Sequence, residues 1–179
     1  MLYFCGKYTL SRKRTQMKKI LLLSDTHSYI DDHILGHVDW ADEVWHAGDI
    51  GDLKVTDAIA KRKPLRAVFG NIDDTEARQE FPLNNRFVCE GLDVLITHIG
   101  GYPGRYSPAI REEIYSNPPK LFICGHSHIL KVMPDKKRGL LHMNPGAIGK
   151  HGFHKVRTML RFTVHSGKIE NLEVIEVER

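Results

Sequence analysis

The sequence lacks the cysteine pattern of a disulfide-rich or thiolate-bound protein. It has three cysteines among 179 residues, and Cys5, Cys89 and Cys124 form no CxxC pair. An odd number without this spacing indicates neither a disulfide framework nor a structural zinc site. Cys89 and Cys124 lie in apolar stretches, where a free cysteine behaves as a small core residue.

The chain also lacks a long apolar run and a secretory signal. No stretch approaches the roughly 18 residues that span a bilayer. The apolar start at residues 1–5 is short, and its basic cluster follows it instead of preceding it, which is the wrong order for a signal peptide. The sequence therefore predicts a cytoplasmic protein that does not bind a membrane.

Outside residues 1–16, the sequence has no excess of positive charge. That segment contains Lys7, Arg12, Lys13 and Arg14 with no acidic residue, and so carries the whole net charge of +4. We expect residues 1–16 to be a disordered basic extension and residues 17–179 to form one domain. Because this domain is neutral, nucleic-acid binding is not expected. Formation of a homo-oligomer is left open.

Short apolar runs, each ending abruptly in Gly, Asp, Asn or His, predict buried strands. They cover residues 19–23, 43–47, 65–69, 94–97 and 121–124. Helices are predicted over about 30–37, 54–61 and 108–115, so that strands and helices alternate as in an α/β domain with parallel strands. Later segments alternate apolar and polar residues and predict antiparallel pairing: 87–90, 130–133, 140–143, 158–164 and 169–177.

All five apolar runs are followed by side chains that can bind a metal. The candidate ligands are Asp25, His27, Asp49, Asn71, His98, His126 and His128. Taken singly, a histidine at a strand end or a Gly-Asp or Gly-Asn turn is usually structural. Because the carboxyl ends of strands converge in an α/β sheet, five such ends together predict a metal centre.

The spacing of the candidates suggests how they reach that centre. Asp25 and His27, and likewise His126 and His128, are two residues apart, and in an extended chain such residues point the same way. We therefore expect each pair to lie on an extended segment. Asp49 has two carboxylate oxygens and is able to bridge two ions. Imidazole and oxygen ligands without sulfur suit Mn²⁺, Fe or Zn²⁺, with Ni²⁺ as a further alternative.

In order along the chain, these motifs resemble those of the calcineurin-like metallophosphoesterases, and in particular the small bacterial and archaeal phosphodiesterase branch often called YfcE-like. The resemblance runs from Met17 to about Gly152. It implies an α/β fold, a four-layer sandwich of two mixed β-sheets flanked by helices. The matching motifs are Asp25-x-His27, Gly48-Asp49, Gly70-Asn71, His98, Gly125-His126-Ser127-His128 and Asn144-Pro145-Gly146.

The resemblance also implies the distribution of ligands and an activity. Asp25, His27 and His128 would bind one divalent ion. Asn71, His98 and His126 would bind a second ion, and Asp49 would bridge the two. Asp49, Asn71 and His98 would be the catalytic residues. The implied reaction is hydrolysis of a small organic phosphodiester by a metal-bridging hydroxide. Mn²⁺ is the metal expected first, before Ni²⁺, Zn²⁺ or Fe.

Two features depart from the wider superfamily. Many members have a histidine where this chain has Ile72, although the phosphodiesterase branch also lacks it and has an aspartate next, as Asp73 here. Without that histidine the acid for the leaving group is unassigned, so good leaving groups should be favoured. The glycine-rich loop 99–105 after His98 is expected to border the site and to shape its pocket.

Weaker candidates are His151 and His154, which follow the Asn-Pro-Gly turn, and Arg105 and Arg111 as phosphate contacts. His46 is expected to lie in the core or behind the ligands.

Two other functions, a protein-interaction scaffold and a nuclease, are alternatives to the phosphodiesterase. The retromer scaffold subunit has the same fold and works through protein contacts with a degraded metal site, whereas all seven ligand positions are intact here. A nuclease would need basic or aromatic strips, which the neutral domain does not supply.

Overall fold

The computed structural model describes residues 17–179, so the extension predicted for residues 1–16 lies outside the described residues. None of the helices in this range is long and apolar enough to cross a membrane. In chain order, the elements are β1 (Lys18–Leu23), α1 (Asp32–Trp40), β2 (Glu43–His46), α2 (Lys54–Ala60), β3 (Leu65–Ala67), α3 (Thr75–Glu80), β4 (Asn84–Cys89), β5 (Leu92–Thr97), β6 (Gly101–Tyr102), β7 (Arg105–Tyr106), α4 (Pro108–Ser116), β8 (Leu121–Ile123), β9 (Leu130–Asp135), β10 (Leu140–Pro145), β11 (Val156–His165) and β12 (Lys168–Glu178).

The strands form two mixed sheets of five strands each and a two-stranded hairpin of β6 and β7. In the first sheet, with order β12-β11-β1-β2-β3, the strands β1, β2 and β3 are parallel, and β11 and β12 are antiparallel to their neighbours. The second sheet has the order β4-β5-β8-β10-β9. Here β5, β8 and β10 are parallel, and the edge strands β4 and β9 are antiparallel.

Three apolar clusters hold the layers together. The first lies between the two sheets and includes Trp45 and Phe162. The second joins α1 and α2 to the outer face of the first sheet and includes Ile34. The third joins α4 to the outer face of the second sheet through Ile110 and Ile114. The resulting order of helix, sheet, sheet and helix confirms the predicted four-layer sandwich.

The strand β1 shows why a run of consecutive apolar residues predicted a buried strand. Ile20 and Leu22 point into the cluster between the sheets, while Leu21 and Leu23 point into the cluster beneath the helices. A strand that is buried on both faces needs apolar residues at every position. The run of residues 19–23 therefore marked a central strand, and the polar residues after it marked the strand's end.

One helix and one two-stranded hairpin were not predicted. The helix α3 is capped by Asp74, whose side chain accepts a hydrogen bond from the backbone of Ala77 at 3.0 Å. Only Ala77 in this helix is buried, so it has no apolar stripe that a sequence pattern would reveal. The hairpin of β6 and β7 lies inside the segment predicted to be a glycine-rich loop.

Candidate metal centre

The carboxyl ends of β1, β2 and β3 in the first sheet and of β5 and β8 in the second sheet meet at one place. Backbone hydrogen bonds join the loops that follow them. Asp25 N–H donates to the Gly48 carbonyl at 2.9 Å, and Gly125 N–H donates to the His98 carbonyl at 3.0 Å. All seven candidate ligands lie in these loops, and the structure brings them together.

The first group of candidate ligands consists of Asp25, His27 and His128, whose potential ligand atoms lie within 4.8 Å of one another. His128 Nε2 is 3.2 Å from Asp25 Oδ1 and 3.4 Å from His27 Nε2. Asp25 is 0% exposed, and its Oδ1 accepts no hydrogen bond from the residues that the structure describes. A buried carboxylate oxygen without a partner is costly, and a cation among these three side chains would stabilise it.

The second group consists of Asp49, His98 and His126, with Asn71 beside them. His98 Nδ1 donates to the Ala47 carbonyl at 2.8 Å, which leaves Nε2 of a neutral ring without a proton. Yet Nε2 lies 3.1 Å from Asp49 Oδ1 and 3.1 Å from Asn71 Oδ1. When the ring is protonated, Nε2 donates to Asp49 Oδ1; when it is neutral, three atoms that all offer lone pairs converge there, which is the arrangement that a metal ion requires.

The carboxylate of Asp49 lies between the two groups. Its Oδ1 is the atom 3.1 Å from His98 Nε2 in the second group, and its Oδ2 is 3.7 Å from His27 Nε2 in the first group. Asp49 is 3% exposed. One oxygen therefore faces each group, as a bridging ligand requires.

The electrostatics of Asp49 and His98 are coupled. Burial alone raises the pKa of Asp49, but the hydrogen bond and charge of His98 outweigh it and the pKa is lowered overall. Burial alone lowers the pKa of His98, but the hydrogen bond with Asp49 and the negative charges of Asp25 and Asp49 raise it overall. Two buried carboxylates thus create a negative field that attracts cations. The donor set, which is nitrogen and oxygen without sulfur, fits two divalent ions.

His46 lies directly behind this centre and is fully buried, as expected. Its Nδ1 accepts from Gly48 N–H at 3.1 Å, so the proton is on Nε2, which donates to Thr26 Oγ1 at 3.0 Å. The Thr26 hydroxyl donates in turn to the Ile50 carbonyl at 3.0 Å. Burial lowers the pKa of His46 to about 4, which keeps the ring neutral. This relay fixes the loop between Asp25 and His27 against the loop after β2.

The backbone at the ligands was predicted wrongly. Instead of lying on extended segments, five of the seven candidate ligands have left-handed backbone, with φ between 46° and 67°. Left-handed backbone is strained for residues other than glycine and is often stored at functional sites. The loops turn sharply as each strand ends, and this turn, not alternation along a strand, aims the ligands. The five are Asp25, His27, Asp49, His126 and His128.

Glycines next to the ligands allow this close packing. A Cβ atom on Gly48 would lie 2.6 Å from His98 Nδ1, and one on Gly70 would lie 2.1 Å from Asp49 Oδ1. Neither distance is tolerable for a side-chain atom. The glycines in the Gly48-Asp49 and Gly70-Asn71 motifs therefore make room for ligands that come from other strands or loops.

A cavity of about 630 Å³ opens over the two groups. His151 and His154 line it, so these weaker candidates do lie at the site. The His151 ring is 4.7 Å from that of His27, and His154 donates from Nε2 to the Gly149 carbonyl at 3.0 Å. The apolar part of the rim consists of Ile72, Ile129 and the fully exposed Phe153, and no sequence pattern marked Ile129 or Phe153 as site residues.

The two arginines that were candidates for phosphate contacts have different surroundings. Arg105 lines a second cavity next to His126. Arg111 donates to the backbone carbonyl of Tyr106 at 3.2 Å and lines neither of these two cavities. The expectation that Arg111 contacts phosphate is therefore not supported, because its guanidinium is used within the fold.

Comparison with known families gives one match over most of the chain. The model described as the calcineurin-like phosphoesterase superfamily domain matches residues 17–167. None of the curated proteins to which the chain was compared matches it.

Several solved structures are similar to this one. Wild-type Vps29 of Entamoeba histolytica, complexed with Zn²⁺, aligns with a TM-score of 0.68 at 14% identity, covering 89% of this chain and 98% of that one. A predicted phosphoesterase of Streptococcus pneumoniae aligns with a TM-score of 0.62 at 18% identity, covering 92% and 99%. A structure described as a novel archaeal phosphodiesterase aligns with a TM-score of 0.61 at 20% identity, covering 89% and 99%. At these identities the similarity shows the fold alone.

Proposed function

The chain belongs to the calcineurin-like phosphoesterase superfamily, and on this premise we propose that it is a metal-dependent phosphodiesterase acting on small organic phosphodiesters. The observation that carries the proposal is the position of Asp49. Its Oδ1 lies 3.1 Å from His98 Nε2 and its Oδ2 lies 3.7 Å from His27 Nε2. A carboxylate that faces two ligand groups in this way supports a centre with two metal ions.

Each residue has a role in the proposal. Asp25, His27 and His128 would hold one ion, Asn71, His98 and His126 would hold the other, and Asp49 would be shared. When bound, two divalent ions lower the pKa of a coordinated water and neutralise charge on the phosphoryl oxygens. We propose Mn²⁺ as the metal, while the same donors also suit Zn²⁺, Fe and Ni²⁺.

The protein atoms around the centre favour an organic ester over a free phosphate. Ile72 and Phe153 line the cavity and are 46% and 103% exposed. Exposed apolar side chains beside a polar site provide contact for the carbon part of a ligand. Ile72 also has no proton to donate, although its backbone N–H holds Asp49 Oδ1 at 3.1 Å. The proposed enzyme therefore depends on the intrinsic acidity of its leaving group.

A scaffold function remains the alternative, because Vps29 has a similar fold. The arrangement of this site does not favour it. A scaffold that works only through protein contacts has no need for Asp25 Oδ1 to be buried without a hydrogen-bond partner among residues 17–179. It also has no need for strained backbone at five ligands.

The rate of hydrolysis should depend steeply on the acidity of the leaving group. We expect the metal-loaded protein to cleave aryl phosphodiesters at least ~10²-fold faster than alkyl phosphodiesters, because no side chain at position 72 protonates the departing oxygen. Rates for a series of aryl diesters with graded phenol pKa would measure this dependence, with the corresponding monoesters as controls.

A flat dependence of the chemical step on the phenol pKa would show that another residue, such as His151 or His154, acts as the acid. Equal or faster cleavage of the monoesters would contradict the assignment as a phosphodiesterase.

A further inference from the structure

A second cavity, of about 310 Å³, adjoins the metal centre. We call it the side pocket. It shares His126, Ser127 and Ile129 with the cavity over the ligands, so a molecule at the centre can extend into it. Asn144 fixes this shared wall by donating from Nδ2 to the Gly125 carbonyl at 2.7 Å and to Ser127 Oγ at 3.1 Å. The side pocket is also lined by Ile99, Tyr102, Arg105, Pro108, Lys131 and His142.

The side pocket carries positive charge. Arg105 and Lys131 both line it, and no carboxylate is among the described residues that do. Neither cation forms an ion pair with any residue of 17–179. The ammonium of Lys131 lies 4.0 Å from the centre of the Tyr102 ring, and this contact orients it without neutralising it. Unpaired cations in a concave site favour an anionic ligand.

His142 forms part of the inner wall of the side pocket. Its side chain is 1% exposed, and its Nδ1 has no hydrogen-bond partner among the described residues. The ring packs against Phe122 with the ring centres 5.7 Å apart. Burial, aided by the charge of Lys131, lowers the pKa of His142 to about 4, so the ring is neutral. The side pocket therefore has a neutral imidazole in its wall, and its positive charge comes from Arg105 and Lys131 alone.

We propose that the side pocket binds a terminal anionic group, a carboxylate or a phosphate, on one ester arm of the substrate. The inference rests on the proposed phosphodiesterase function and narrows it to diesters that carry a second anion. Arg105 and Lys131 bind the anion. The apolar side chains of Ile99, Pro108 and Ile129 contact the carbon chain that joins it to the phosphodiester. The volume of about 310 Å³ limits this arm to a small group.

The test uses three diesters with the same p-nitrophenyl leaving group and a different second arm: butyl, 3-carboxypropyl or 3-phosphonopropyl. The wild-type protein should show kcat/KM at least ~10-fold higher for one or both anionic arms than for butyl, which is the effect of one charge-assisted contact. Lys131→Met should reduce this preference to about 2-fold or less while leaving butyl hydrolysis within about 2-fold. Lys131→Arg should restore it.

Lys61→Met is the matched control, because this exposed lysine lies at the end of α2 outside the side pocket. It should leave the preference unchanged. If Lys131→Met does not fold, Arg105→Met serves in its place. The better of the two anionic arms identifies the group that is bound. Equal kcat/KM for all three arms would overturn the inference. A preference for an anionic arm that survives in Lys131→Met, or in Arg105→Met where it takes the place of that variant, would also overturn it.

The proposed function and the inference fail separately. If none of the three diesters is hydrolysed, the phosphodiesterase function fails. Calorimetric titration of the same compounds into the metal-loaded protein then decides the role of the side pocket. Tighter binding of an anionic arm by ~10-fold, lost in Lys131→Met, supports it, and equal binding of all three arms contradicts it.

Discussion

Asp49→Asn should lose at least ~10²-fold in turnover, and excess Mn²⁺ should not restore it. The wild-type carboxylate directs one oxygen to His98 in the second ligand group and the other to His27 in the first. The amide keeps the size of the side chain but removes its charge and replaces one oxygen with a donor group. One ion would then lose its ligand oxygen, both would lose the shared negative charge, and their mutual repulsion would no longer be offset. Initial rates on an aryl phosphodiester across a Mn²⁺ series would measure the loss.

His27→Gln provides the comparison for Asp49→Asn. His27 belongs to one group only, so this variant should recover part of its activity as Mn²⁺ is raised. Circular dichroism should show that both variants keep the fold. If Asp49→Asn recovered fully with added metal, Asp49 would be a ligand to one ion or a turn residue, and the bridging assignment would be wrong.

Gly70→Ala should reduce activity nearly as much as Asp49→Asn, although it adds only a methyl group. The new Cβ would lie 2.1 Å from Asp49 Oδ1 and 2.3 Å from the backbone nitrogen of Asp49. A side-chain rotation cannot relieve contact with a backbone atom, so the loops after β2 and β3 must move apart. We expect a loss of at least ~10²-fold in activity, because catalytic groups tolerate only small displacements. Metal content measured by elemental analysis should fall with it.

Gly36→Ala is the matched control for Gly70→Ala. Gly36 lies inside α1, and a Cβ atom there would meet nothing within 4 Å. Alanine in a helix interior should raise the free energy of unfolding by about 0.5–1 kcal/mol without changing activity. Urea denaturation of both variants would separate a general effect on folding from a local effect on the metal centre. Full activity and normal metal content in Gly70→Ala would contradict the geometry around Asp49.

The central strands and their ends could be predicted from the sequence because burial determines which residues occupy them. The central strands are apolar at consecutive positions because both faces are covered, as Ile20 and Leu21 illustrate on opposite faces of β1. The ends of such strands are visible as abrupt changes to polar residues. The sequence therefore indicated which side chains converge, and the structure places Asp25, Asn71 and His98 together at the ends of three different strands.

Other features of the site depend on tertiary contacts and could not be predicted from the sequence. The left-handed backbone at Asp25 and His27 is one, because non-glycine residues seldom adopt it and no local pattern marks it. The two histidines of the His126-Ser127-His128 motif also fall in different ligand groups, which the spacing argument alone did not predict. The unpaired nitrogen of His142 is a third, since it results from how β10 packs in the second sheet.

Activity measured against added Mn²⁺ tests the two-ion centre most directly. Metal-free protein should be folded but inactive on an aryl phosphodiester. Its rate should rise to a plateau as two Mn²⁺ ions bind per chain, and elemental analysis of the active protein should give the same stoichiometry. A folded protein that binds no transition metal, or one that is fully active after complete removal of metal, would contradict the proposed function.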